Sequence, residues 1–209
     1  VNGTSAGTYS QTGTFGSSSL SIWIGKIDSA GSQPFNGYIS DVKLIDGSVV
    51  TSIPSSPQTA TSGTSLLLNM TNAGIPDSAM MNDGETISSC QISTAQSKFG
   101  TGSIYRGSTS QTNDSGLYFP AALPLNSGDF TMEGWIFYTA TPSSGMTYFG
   151  ISSTSGGFVR QESSSQISFI NAGSAIDLTG SFTPVVGTWY HIAVTRNASN
   201  LMTIWVNGS

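Results

Sequence analysis

The sequence predicts an all-β chain folded as a two-layer antiparallel sandwich. Three observations carry this. Apolar residues recur with period two almost everywhere, the spacing of side chains on one face of a strand. No window of about a dozen residues holds the spacing of an amphipathic helix. Turn signals rich in Gly, Asn, Asp and Ser separate the apolar runs at short intervals.

The elements follow in order. Leu20, Ile22 and Ile24 alternate with Ser21 and Trp23. Within 38–45, Val42 and Leu44 alternate with Asp41 and Lys43. Phe130, Met132, Ile136 and Tyr138 alternate with Thr131, Glu133, Trp135 and Phe137. Tyr190, Ile192 and Val194 alternate with Trp189, His191, Ala193 and Thr195. Met202, Ile204 and Val206 alternate with Thr203 and Trp205. Several of these carry apolar residues on both faces, as interior strands of a sandwich do. Shorter strands are expected at 66–70, 103–106, 117–119, 147–151, 157–162 and 166–170. The spacing implies about a dozen strands.

One stretch breaks the pattern. Residues 51–64 are rich in Ser, Thr and Pro and nearly free of large apolar side chains. Proline removes ladder donors and favours extended backbone, so this stretch reads as a linker between 1–50 and 65–209.

Composition excludes several functions. Only 8% of the 209 residues are charged, against about 25% in an ordinary globular domain. Six Lys and Arg and a net charge of −5 leave no basic stripe for a phosphate backbone, so no nucleic-acid partner is expected. No apolar run nears the ~18 residues of a membrane helix, so no membrane insertion is expected. A hydrophobic content of 37% is enough for a sizeable core and argues against disorder. Cys90 is alone and reads as a small buried hydrophobe rather than a nucleophile.

The two ends echo each other. Val1-Asn2-Gly3 and Val206-Asn207-Gly208 match at an offset of 205 residues, and Asn-Gly favours the type I′ hairpin turn. The last strand and its turn form the first half of a hairpin; residues 6–10 can supply the second. The chain, opening inside a hairpin motif without an initiator methionine, is expected to be a piece of something longer. Residues 1–50 are expected to complete the sandwich of 65–209; the alternative is a window of a tandem array with a repeat near 205, the two pieces belonging to neighbouring modules.

Several stretches together resemble a known family. They are Lys98-Phe99-Gly100-Thr101-Gly102-Ser103-Ile104-Tyr105, Ser127-Gly128-Asp129-Phe130-Thr131-Met132-Glu133-Gly134-Trp135-Ile136, Gly187-Thr188-Trp189-Tyr190-His191-Ile192-Ala193-Val194-Thr195-Arg196 and Ile204-Trp205-Val206-Asn207-Gly208. Ile22-Trp23-Ile24-Gly25 and Phe35-Asn36-Gly37-Tyr38-Ile39-Ser40-Asp41-Val42-Lys43-Leu44 add to them. The long piece resembles the opening of a laminin-G-like domain of the concanavalin-A-like lectin/glucanase superfamily. The short piece resembles the close of one. The resemblance implies a two-sheet antiparallel jelly-roll sandwich with circularly permuted strand order. The Ser/Thr/Asn-rich, low-charge style resembles such modules in bacteriophage virion proteins, marine ones especially.

Catalysis is not expected. The related glucanases carry two or three carboxylates on alternating positions of one strand, because acid and nucleophile must flank the glycosidic bond. Here Glu133 is the only acid inside its strand. The single histidine, His191, has no Ser-His-Asp or zinc-ligand setting. The resemblance also implies a structural calcium, with Asp41 in the closing element and Asp77 in an early Asp-Ser element as its ligands. Tyr118, Tyr148 and Arg160 are the candidate surface contacts for a ligand. The expected role is recognition or adhesion at an extracellular or virion surface, with cell-surface glycans as partners. The alternative is a structural or assembly module, a homo-oligomer or array that binds copies of itself by strand exchange.

Overall fold

The computed structural model describes residues 5–11, 22–26, 34–50, 52–70, 85–87, 90–107, 116–119, 127–151, 156–171 and 176–209. The described residues hold no helix and fifteen strands. These are β1 (Ser5–Ser10), β2 (Ile22–Ile24), β3 (Gly37–Asp46), β4 (Thr64–Leu68), β5 (Glu85–Ile87), β6 (Gln91–Ser93), β7 (Ser103–Arg106) and β8 (Gly116–Phe119). The rest are β9 (Phe130–Tyr138), β10 (Met146–Ile151), β11 (Gly157–Ser163), β12 (Gln166–Asn171), β13 (Ile176–Ser181), β14 (Trp189–Arg196) and β15 (Leu201–Val206). The larger sheet runs β1-β15-β14-β9-β3-β7-β6, with β4 also paired to β3. The smaller sheet runs β13-β12-β11-β10-β2-β8-β5.

The expected alternation builds the core. Ile39, Val42 and Leu44 of β3 face inward with Met132, Ile136 and Tyr138 of β9, Ile192 and Val194 of β14, and Met202 and Ile204 of β15. Ile22, Ile24, Leu117, Phe119, Phe149, Val159, Ile167, Phe169 and Leu178 answer from the smaller sheet. Both layers therefore bury one face against the other, as a jelly-roll sandwich requires. The strands of the first fifty residues lie inside these sheets. β2 pairs with β10 and β8, and β3 pairs with β9, β7 and β4.

Two register shifts redirect side chains. In β3 the pairing with β9 jumps between Ser40 and Lys43, and Asp41 there has φ 54°. The bulge turns Asp41 outward while Val42 enters the core. In β10 the pairing with β11 shifts between Thr147 and Phe149. Tyr148 and Phe149 consequently both face the core. The sequence expectation of Tyr148 at the surface is thus corrected: the residue is fully buried.

The Pro-, Ser- and Thr-rich stretch joins β3 to β4 and is tied down along its length. Val50 N donates to Thr131 Oγ1 at 3.0 Å. Gln58 N donates to both carboxylate oxygens of Asp41 at 3.2 and 3.3 Å. Lys43 Nζ donates to Thr59 O at 2.9 Å. The segment is a strap across the outer face of the larger sheet.

Candidate functional site

The outer face of the larger sheet is organised in rows, because antiparallel register places side chains of neighbouring strands side by side. The first row is aromatic. Tyr38 lies opposite Tyr105 and Phe137, and Phe137 lies opposite Trp189. The row crosses β7, β3, β9 and β14. Ring centroids are 4.8 Å apart for Tyr38–Tyr105, 5.6 Å for Tyr38–Phe137 and 5.3 Å for Phe137–Trp189. Tyr105, Phe137 and Trp189 remain partly exposed, with Tyr38 buried between them. Four strands at about 4.8 Å spacing give the row a length of about 14 Å.

The second row holds Ser40, Trp135 and His191. Lys98 Nζ stands 4.1 Å above the Trp135 ring and Phe99 meets that ring edge-on, so the indole is covered. Ser40 Oγ and Trp135 Nε1 are buried with no hydrogen bond in the chain.

The third row holds Lys43, Glu133, Ala193 and Trp205. Here the strap closes over the sheet. Glu133 Oε2 and His191 Nε2 are 3.0 Å apart and both side chains are buried. A cavity of about 10 Å³ for water centres touches Glu133 and His191 beneath Val50, Ser52 and Ile53. Glu133 Oε1 and His191 Nδ1 have no protein partner, so the cavity suits one bound water. On its open side the strap forms a cleft of about 310 Å³ lined by Lys43, Ser52, Ser56, Gln58 and Thr61, among others. The strap thus covers the carboxylate–imidazole pair and leaves the aromatic row open.

Asp41 sits at the edge of this cluster. Burial, and secondarily Glu133, push its carboxyl up to about 6; the Gln58 N–H bond opposes the shift. Its oxygens also take Asn69 Nδ2 at 3.3 Å, and its carbonyl accepts from Gln58 Nε2 at 3.0 Å. These neighbours supply protons, whereas calcium needs six to eight oxygens. The described residues around Asp41 therefore do not fit a calcium shell. No group of three acidic, His or Cys side chains gathers among the described residues. Asp77 lies outside the described residues.

The remaining expected residues lie on the smaller sheet. Tyr118 of β8 packs on Trp23 of β2, centroid to centroid 4.5 Å, with Lys26 Nζ 4.4 Å above the Trp23 ring. Arg160 of β11 shares that outer face, but its Nε is bonded to Glu162 at 2.6 Å and its guanidinium rests against the Phe158 ring. Tyr148 is in the core between the sheets, against Phe35 and Tyr138. The structure brings none of these together with the aromatic row. Tyr38, Tyr105, Phe137 and Trp189 were legible one by one as strand residues. Their alignment depends on register between strands far apart in sequence.

These features define a class: an all-β jelly-roll sandwich with a partly open aromatic outer face. Residues 111–209 match the family model of the concanavalin A-like lectin/glucanases superfamily, in its laminin-G form. Domains of this class often mediate carbohydrate binding or adhesion. No curated protein and no solved structure matches the chain.

Proposed function

We propose that this protein is a non-catalytic carbohydrate-recognition module whose contact surface is the aromatic row Tyr105–Tyr38–Phe137–Trp189. The row carries the reading. Partly exposed rings offer apolar faces to the C–H sides of pyranose rings, and about 14 Å accommodates a short oligosaccharide rather than a single sugar. The low charge of the chain suits a neutral, hydroxyl-rich ligand at an extracellular or virion surface. The non-catalytic reading rests on Glu133, whose carboxylate is fully buried under the strap and bonded to His191, out of a saccharide's reach.

The test is a glycan array followed by calorimetry on the best ligands, with and without chelator. Trp189→Ala and Phe137→Ala should each weaken binding about tenfold, near 1.4 kcal/mol apiece. Arg160→Ala, on the other sheet, should leave it unchanged. Binding that survives both aromatic substitutions would refute the assignment.

A further inference from the structure

The cleft on the open side of the strap carries a second inference, independent of the aromatic row. The bulge after Ser40 reverses the alternation of β3 and puts Lys43 on the outer face, opposite Glu133. The strap crosses above it. Lys43 is only 5% exposed, and its Nζ donates to Thr59 O at 2.9 Å and to Thr61 Oγ1 at 3.3 Å. An ammonium has three protons to give, so one is left for a partner outside the chain. Both acceptors are uncharged, and among the described residues no carboxylate forms an ion pair with Lys43. A buried charge is ordinarily paired. The neighbouring carboxylates are engaged elsewhere: Asp41 accepts from Gln58 N and Asn69 Nδ2, and Glu133 Oε2 meets His191 Nε2.

We propose that this cleft is a second binding site and that it takes a hydroxylated carboxylate, whose acid group pairs with Lys43. Its volume, about 310 Å³, is that of a small-molecule site rather than of a single water. Lys43 is the one charged residue among the described residues that line it. The rest of the lining offers neutral polar groups. Ser52, Ser55 and Ser56 are exposed, so their hydroxyls can meet a ligand. Hydroxyls donate and accept alike, which matches the hydroxyl groups of the ligand. The charge-assisted bond to the ammonium gives an acid its advantage over a neutral ligand. Two sources share this chemistry, an open-chain hydroxy acid and the acidic ring of a saccharide. Lys43 faces Glu133 while Tyr38 faces Phe137, four residues along β9, which places the cleft about 14 Å from the aromatic row. A ligand here leaves that row free, so the two sites stand or fall separately.

The test titrates gluconate and glucuronate into the full chain while NMR follows the amides of Gln58 and Thr59. Saturable shifts with either acid support the site; a response to gluconate alone assigns it to open-chain acids, and one to glucuronate alone to saccharides. Glucose, which lacks the carboxylate, and acetate, which lacks the hydroxyls, should each bind at least about tenfold more weakly. Lys43→Met removes the cation but also loosens the strap, so Ser56→Leu is made beside it, filling the cleft with Lys43 still anchored. Each should weaken acid binding by about tenfold or more, and Trp189→Ala should leave it unchanged. Glucose or acetate bound as well as the acids, acid binding that survives either cleft substitution, or no response to either acid overturns the proposal.

Discussion

Tyr138 of the larger sheet and Tyr148 of the smaller one are hydrogen-bonded to each other in the middle of the core. Gln161 Oε1 lies 2.9 Å from the Tyr138 hydroxyl and 2.5 Å from the Tyr148 hydroxyl, so one tyrosine donates to the other and the second donates to the amide oxygen. Gln161 Nε2 completes the network on Ser163 O and Phe182 O at 2.7 and 3.1 Å. The triad ties the layers with every side-chain polar group satisfied, the condition under which a polar core is tolerated. Tyr148→Phe leaves Gln161 one donor and should cost about 1 kcal/mol in urea unfolding. Gln161→Leu leaves one hydroxyl proton without an acceptor and takes the donor from Ser163 O and Phe182 O, and should cost about 2–3 kcal/mol. Equal effects would contradict the shared acceptor.

The same two tyrosines set the alkaline limit. Burial raises both hydroxyls well above the usual tyrosine range; Tyr148 and then Tyr190 further oppose ionisation of Tyr138, while the hydrogen bond from Tyr138 partly offsets the rise at Tyr148. In the unfolded chain they ionise near pH 10. Above that pH the unfolded state binds fewer protons than the folded one, so stability falls as pH rises. Absorbance titration should show two tyrosines silent until the protein unfolds, and Tyr138→Phe/Tyr148→Phe should remove this part of the alkaline loss.

Asp41 acts in the acidic range with the same sign. Its folded value of about 6 lies above the ordinary 3.8. Between these values the folded state holds the extra proton, so this group's contribution to stability falls as pH rises through the window. The difference corresponds to about 3 kcal/mol at most. Asp41→Asn should flatten stability between pH 4 and 6, read from urea midpoints at each pH; an unchanged profile would assign the dependence elsewhere.

Much of the fold was legible because period-two patterning survives in β3, β9, β14 and β15, whose inner faces carry the core. Tyr148 was misplaced for a local reason. Alternation back from Ile151 sends Phe149 inward and Tyr148 outward, and only the register shift after Thr147 lets both enter the core. In sequence the strap reads only as a linker, because its anchors, Asp41, Lys43 and Thr131, belong to other segments. The aromatic row is not legible in sequence for the related reason that Tyr105 and Trp189 are 84 positions apart and meet only through the pairing of four strands.

The buried Glu133–His191 pair should matter to stability more than its single hydrogen bond suggests. Glu133→Ala leaves the imidazole with no protein partner on either ring nitrogen and enlarges the cavity under Val50 and Ile53. Removing one member of a buried pair typically costs about 3–5 kcal/mol. Glu133→Gln keeps the shape and a polar partner and should cost about 1 kcal/mol. Hydrogen exchange at the Val50 amide, which rests on Thr131, should speed up in the alanine variant and much less in the glutamine variant. Equal exchange in both would show that the strap closes without the pair.

Asn207 does two jobs at the end of β15. Its backbone takes the left-handed conformation of the hairpin turn, φ 52°. Its Oδ1 accepts His191 N at 3.0 Å while its own N donates to His191 O at 2.8 Å, so it clamps β14 to the turn. Asn207→Ala keeps the backbone bond but orphans the His191 amide and places an ordinary residue in the left-handed region. The conformational part is worth about 1–2 kcal/mol and the orphaned donor about 1–3 kcal/mol. Asn207→Gly removes the conformational cost and retains only the second. The alanine variant should therefore be the less stable by about 1 kcal/mol, and both should lose protection at the His191 amide alike. Were the glycine variant as stable as the parent, the Asn207–His191 contact would be incidental and the turn would depend on φ alone.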